Sequence, residues 1–128
     1  MAFVFANPNP NGSYVGDCVI RALALALDKQ WQDVYIDLST YGFILGDMPS
    51  SNRVWSEYLK SQGFSAHIVP DTCPLCITIK DFCREHPNGT YILATGTHVV
   101  CVKNGNYLDT WDSGDEAIIY YWSKKEVD

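Results

Sequence analysis

Cys18 and His98 are the pair of residues that would give this chain a reactive thiol. Cysteine attacks carbonyl carbons as the thiolate, and an adjacent histidine favours that form and moves protons during the reaction. Cys18 begins the predicted helix CVIRALALAL, where the helix dipole and unpaired N–H groups favour a thiolate. On its own, each residue also fits a structural role, as a buried free cysteine and a core histidine. An acid beside the imidazole would complete a cysteine–histidine–acid triad.

The segment HVVCVKNGNYLDTW predicts which acid lies beside His98. The Asn-Gly dipeptide at 104–105 is typical of a two-residue type I′ turn, which would pair Val100 with Asp109 on the returning strand. Side chains alternate between the two faces of a sheet, so Asp109 shares a face with His98, whereas Asp112 lies on the other. A longer loop with a bulge would shift this parity. We therefore predict Asp109 as the acid that orients the imidazole.

An α+β architecture is predicted to hold these residues in place. We expect a single domain over residues 1–128, with N-terminal helices packed on a C-terminal antiparallel β-sheet. Residues 1–16 are rich in Asn, Pro and Gly and predict an irregular lead-in. Residues 17–63 predict mainly helix, and residues 64–89 predict a strand, a turn and a short helix. Alternating apolar residues and Gly or Asn turns predict the antiparallel sheet over 90–122.

The helical half has predicted helix ends. Asp17 is expected to cap a buried helix that runs from Cys18 to about Leu27. Gly42 is expected to end the second helix. Either Ser51 or Asn52 would cap the third.

Composition and charge exclude some classes of partner. Nine Lys and Arg against fifteen Asp and Glu give a net charge of −6, which argues against binding to nucleic acid. The N-terminus lacks the features of an export signal, and no apolar run approaches the ~18 residues that span a bilayer. Five cysteines cannot all pair within one chain. We therefore expect a monomeric cytoplasmic protein with reduced thiols and no membrane contact.

The order of these residues resembles that of the papain-like cysteine peptidase superfamily. The resemblance implies a helix with the nucleophile Cys18 at its N-terminus, packed on an antiparallel sheet whose strands bring His98 and Asp109. Papain-like peptidases usually place an oxyanion-hole Gln six residues before the cysteine, and here Gly12 stands there. Asn11, one residue earlier, is the candidate amide donor, and it fits a turn residue equally well.

The chain is also similar to a group of bacterial and phage proteins. The shared segments are a GDCVIRAL-like start, a YLKSQGF-like helix end and a HVVCVKNGNYLDTWDS-like hairpin before a terminal YYW, together spanning most of 14–122. The papain motif in which Trp directly follows the cysteine is missing, because Val19 stands there. The resemblance is therefore to the fold and its constellation of residues.

The predicted function is cysteine-dependent hydrolysis of amide, peptide or isopeptide bonds in a protein or peptide substrate, through a thioester and without a cofactor or metal. A peptidase, an isopeptidase, a peptidoglycan amidase and an acyltransferase would all use the same groups. The alternative is a non-catalytic papain-like binding module, with a structural zinc held by a C-x2-C-x6-C-x2-H cluster. The ligands of that cluster would be Cys73, Cys76, Cys83 and His86. Cys73 and Cys76 also fit a disulfide or a redox pair.

Overall fold

The computed structural model describes residues 2–69 and 76–124, which form an α+β fold, as the sequence predicts. The described helices are α1 (Cys18–Leu27), α2 (Trp31–Leu45), α3 (Asn52–Ser61) and α4 (Ile79–Glu85), and the described strands are β1 (Phe3–Phe5), β2 (Phe64–Ile68), β3 (Thr90–Ala94), β4 (Val99–Lys103), β5 (Asn106–Asp109) and β6 (Tyr120–Lys124). No helix in this part of the chain has the length and apolar character that crossing a membrane requires.

The sheet has the strand order β1-β5-β4-β3-β6-β2. Every neighbouring pair is antiparallel except β1 and β5, which run parallel and align Phe5 with Asp109. The prediction of an irregular segment over residues 1–16 is therefore wrong at Phe3–Phe5, and the sheet is mixed. A three-residue edge strand is too short to show a periodic pattern, and it gains its hydrogen bonds only from the distant β5.

The hairpin that joins β4 to β5 confirms the predicted register. Asn104 and Gly105 have φ angles of 50° and 78°, the two positive values that a type I′ turn requires. Val102 lies opposite Tyr107, so no extra residue shifts the faces on which side chains of the two strands point. The alternative of a bulged loop is thereby excluded.

Helices cover both faces of the sheet. On one face, α1 packs with Ile92, Val99 and Cys101 of the sheet and with Trp55 of α3. On the other face, α4 packs against a second apolar cluster that includes Val100. α1 is buried along most of its length, which agrees with its nearly continuous apolar sequence.

The structure fixes the end of α2 and the N-cap of α3. Gly42 does not end α2, which continues to a left-handed cap at Gly46 with φ of 69°. A Cβ atom on Gly42 would lie 2.6 Å from the carbonyl oxygen of Asp47, so this glycine allows a close backbone approach and does not stop the helix. Of the two candidate caps for α3, Ser51 is the cap, and its hydroxyl accepts from the Val54 N–H at 3.3 Å.

Candidate active site

Cys18 and His98 meet at one end of the sheet. Cys18 is the first residue of α1, His98 immediately precedes β4, and the imidazole is close enough to the thiol for each group to shift the pKa of the other. His98 Nε2 lies 2.6 Å from Asp109 Oδ2, which leaves Nδ1 as the ring nitrogen for the sulfur. The structure therefore brings together the three residues that the sequence singles out.

The surroundings of Cys18 favour its thiolate. Burial alone raises the pKa of the thiol, but hydrogen bonds from His98 and the Val99 N–H and the positive charges of His98 and Arg21 outweigh burial. The pKa of Cys18 therefore lies below its usual value. The ionised sulfur is the nucleophilic form of cysteine.

His98 is held in its protonated form. Burial lowers its pKa, but hydrogen bonds to Asp109 and Cys18, together with their negative charges, raise it to about 9. Trp111 packs beside the imidazole, with ring centroids 5.1 Å apart. The lowered pKa of Cys18 and the raised pKa of His98 both favour a thiolate–imidazolium pair, whose two groups titrate as one coupled unit.

Asp109 is fixed by four neighbours besides the imidazole. The Ser113 hydroxyl donates to Oδ2 at 2.7 Å, and the Thr110 N–H donates to Oδ1 at 2.8 Å. Arg21 Nη2 lies 3.6 Å from Oδ1, and the Ala6 N–H beside β1 donates to the Asp109 carbonyl at 2.9 Å. Burial raises the pKa of this carboxyl, but the hydrogen bonds from His98 and Ser113 outweigh it and keep the pKa low. Asp109 is thus ionised and oriented.

A second buried carboxylate supports Asp109 through Arg21. Arg21 is only 7% exposed, and its guanidinium contacts both Asp17 and Asp109. Asp17 stands at the N-cap position of α1, but its side chain caps no backbone N–H, contrary to the prediction. Its carboxylate instead accepts from Trp31 Nε1 at 2.9 Å and from Asn9 Nδ2 at 3.3 Å. The partners of the Asp17 carboxylate are therefore the side chains of Arg21, Trp31 and Asn9.

Sequence reasoning missed Arg21 and Ser113. The sequence does contain an indication of the role of Arg21, because a charged residue inside the apolar run VIRALALAL needs a buried partner of opposite charge. Ser113 gave no comparable signal, because a serine beside a glycine is also typical of a turn.

Asp112, the acid that was predicted to lie on the opposite face, forms hydrogen bonds away from His98. Its carboxylate accepts from the Tyr107 hydroxyl and from the Gly114 N–H, the latter at 3.1 Å. These bonds lower the pKa of Asp112. The choice of Asp109 as the residue beside His98 is therefore confirmed.

The structure does not place Asn11 at the thiol. Asn11 is exposed, and its backbone N–H donates to Asn9 Oδ1 at 2.9 Å within a turn. The described lining of the cavity beside Cys18 does not include it. Its role as an oxyanion donor stays a prediction. The N–H of Cys18 itself, in the first turn of α1, has no partner within the helix and points to the same function.

A cavity of about 390 Å³ opens beside the thiol. It lies between the first turns of α1 and α3 and the loops at the end of the sheet, and both Cys18 and His98 line it. Asn52, Trp55 and Tyr120 form part of its wall. This volume is within the range of small-molecule sites, so a substrate group has room next to the sulfur.

A larger cavity of about 940 Å³ lies elsewhere, lined by residues that include His67, Tyr121 and Ser123. His67 Nε2 lies 2.7 Å from Ser123 Oγ. However, no acid and no cysteine are among the described residues that line this cavity, so the serine–histidine contact lacks an orienting group. The smaller cavity has a nucleophile and a histidine in its wall, and that histidine is oriented by Asp109.

Cys73, one of the four residues of the zinc alternative, lies outside the described residues. Cys76 is disulfide-bonded, Cys83 is buried, and burial raises the pKa of the Cys83 thiol to about 11. His86 Nδ1 lies 3.0 Å from the carbonyl oxygen of Phe82. Within residues 2–69 and 76–124, no three His, Cys, Asp or Glu side chains are grouped to hold a metal ion.

Comparisons with protein-family models, curated proteins and solved structures give no match to this chain. The resemblance to papain-like peptidases therefore stays a prediction.

Proposed function

We propose that this chain is a cysteine-dependent hydrolase of amide, peptide or isopeptide bonds, with a papain-like fold. The proposal rests on one observation, the contact of Cys18 with His98 and of His98 with Asp109 at the wall of an open cavity. These groups are a nucleophile, a proton carrier and an orienting acid. The proposed substrate is a protein or peptide chain.

The proposed reaction has two stages. The Cys18 thiolate adds to the substrate carbonyl carbon, whose oxygen points to the Cys18 N–H, and the C–N bond then breaks as the His98 imidazolium protonates the leaving amine. His98 next takes a proton from water, and the hydroxide adds to the thioester carbon. The C–S bond breaks, and a carboxylic acid leaves. An amine in place of water would give acyl transfer by the same steps.

Among the described residues, three cysteines are free, and the pKa of Cys18 shifts in the opposite direction from those of the other two, which favours catalysis over a binding role. Burial raises the pKa of Cys83 to about 11 and that of Cys101 to about 12, whereas the pKa of Cys18 is lowered. A buried thiol with a structural role alone would shift in the direction of the first two. A thiol with a lowered pKa and an imidazole with a raised pKa that share one open cavity are typical of active sites.

Alkylation at pH 6 tests this proposal directly. Iodoacetamide reacts with thiolates, so we expect Cys18 to be modified at least ~10-fold faster than Cys83 or Cys101. Peptide mass spectrometry after timed quenching gives the three rates, and Cys18→Ala is the blank. Equal rates at the three sites would contradict the proposal.

The pH dependence of the site gives a second test. The Asp109 carboxylate favours the imidazolium, so Asp109→Asn should lower the pKa of His98 from about 9 and slow alkylation of Cys18 at pH 6. An NMR titration of the His98 ring measures the first effect. Asp112→Asn is the matched control and should leave the His98 titration unchanged. If Asp109→Asn also leaves it unchanged, the assigned role of Asp109 is wrong.

A further inference from the structure

We propose that the cavity beside Cys18 selects an uncharged acyl group and that Asn52 sets this selectivity. The inference rests on the proposed function, because the acyl group is the one that Cys18 would receive. It defines the substrate class as acyl compounds with a neutral side chain next to the scissile carbonyl.

The described residues in the walls of the cavity offer no counter-charge to an ionised substrate group. Apart from the Cys18–His98 pair, the described residues that line it include no Asp, Glu, Lys or Arg. A charged group that enters such a site loses hydration that no partner replaces. The partly exposed ring of Tyr120 instead offers an aromatic surface, and it stacks on the buried Trp55 with rings 10° from parallel and centroids 6.3 Å apart. Apolar or neutral polar groups suit these walls.

Asn52 contributes an amide whose orientation is set by its neighbour. Trp55 is fully buried, at 0% exposure, and its indole N–H donates to Asn52 Oδ1 at 3.0 Å. The oxygen is therefore committed to the indole, and Nδ2 is the group left to donate to a ligand. An aspartate at position 52 would keep the acceptor that Trp55 uses and would change the charge of the wall. This substitution separates selectivity from folding.

Three chloromethyl ketones test the selectivity, made from N-acetylated leucine, lysine and glutamate. The Cys18 thiolate forms a C–S bond to each reagent as the C–Cl bond breaks and chloride leaves. Each rate at pH 6 is divided by the iodoacetamide rate at Cys18 of the same protein. This ratio removes differences in thiol reactivity between variants and leaves the effect of the reagent's side chain. We expect the leucine reagent to react at least ~10-fold faster than the other two. In Asn52→Asp, the lysine reagent should gain at least ~10-fold relative to the leucine reagent, and the glutamate reagent should slow further.

The matched control is Asn88→Asp, which adds the same charge at an exposed residue outside the lining of this cavity. It should keep the wild-type ratios. Equal rates for the three reagents, or unchanged ratios in Asn52→Asp, would overturn the inference while fast iodoacetamide labelling of Cys18 upholds the proposed function. Slow iodoacetamide labelling of Cys18 would instead overturn both. Near-UV circular dichroism checks that Asn52→Asp keeps the Trp55 environment.

Discussion

His98→Ala is expected to slow alkylation of Cys18 at pH 6 by about tenfold and to slow turnover of an acyl group by about 10²-fold or more. Burial raises the pKa of the Cys18 thiol, and the hydrogen bond and charge of His98 lower it. Removing His98 should therefore raise this pKa. An ordinary thiol of pKa ~8.5 is only about 0.3% ionised at pH 6. A more basic thiolate is intrinsically more nucleophilic, so the alkylation rate falls less than the ionised fraction does. We therefore expect a net decrease in the rate of about tenfold.

Acyl turnover should fall much further, because His98 also activates the water. With p-nitrophenyl acetate as the acyl donor, we expect hydrolysis of the thioester on Cys18 to slow by about 10²- to 10⁴-fold. The acetylated protein should then accumulate and be visible as one added acetyl group in the intact mass. Stopped time courses of wild type and variant give the two rates.

The control for His98→Ala is His67→Ala, which removes an exposed histidine that does not line the Cys18 cavity. His67→Ala should keep the wild-type alkylation rate and should not accumulate the thioester. If His98→Ala behaves like His67→Ala, then His98 neither activates the thiol nor delivers water. That outcome would falsify the proposed mechanism while leaving the fold as described.

The sequence predicted the parts of the site that depend on local rules. The Asn104-Gly105 turn set the register of the hairpin, and the register placed Asp109 beside His98. The start of α1 at Cys18 followed from helix propensity and the preceding polar run. A turn type and a helix boundary are properties of a few adjacent residues, so one sequence is enough to recognise them.

The parts that sequence did not predict depend on contacts between distant segments. The parallel pairing of Phe3–Phe5 with β5, the contact of Arg21 with Asp109 and the bond from Ser113 are tertiary contacts. Nothing in the flanking residues fixes which partner each one meets. Asp17 is the clearest case, since its position at the helix start was correct but its carboxylate serves an arginine instead of a backbone N–H.

These unpredicted contacts explain how Asp109 stays ionised in the interior. Asp109 is 3% exposed and Asp17 is 5% exposed, so each carboxylate needs hydrogen bonds or a cation to replace its hydration. Arg21 contacts both, and β1 holds the Asp109 backbone in register. The edge strand and the arginine are therefore parts of the support for His98, although neither lines the cavity.

Arg21→Met should consequently destabilise the fold by about 3–5 kcal/mol, the typical cost of leaving a buried charge without its partner. Methionine is an unbranched, uncharged replacement that leaves Asp17 without the guanidinium and Asp109 with the His98 imidazolium alone. The urea midpoint of unfolding, followed by tryptophan fluorescence, measures the change. Arg53→Met is the matched control at an exposed position and should change stability by no more than about 0.5 kcal/mol.

The double variant Arg21→Met with Asp17→Asn identifies the cause of the loss. If the loss comes from an unpaired carboxylate, removing the Asp17 charge should recover part of the stability. The amide oxygen of asparagine at position 17 can still accept from Trp31 and Asn9, so those two hydrogen bonds are kept. If the loss comes only from packing, the two substitutions should destabilise additively. Additive losses, or a stable Arg21→Met, would show that Arg21 is not the cation on which the buried acids depend, and the electrostatic support assigned to Asp109 would then reduce to Ser113, Thr110 and His98.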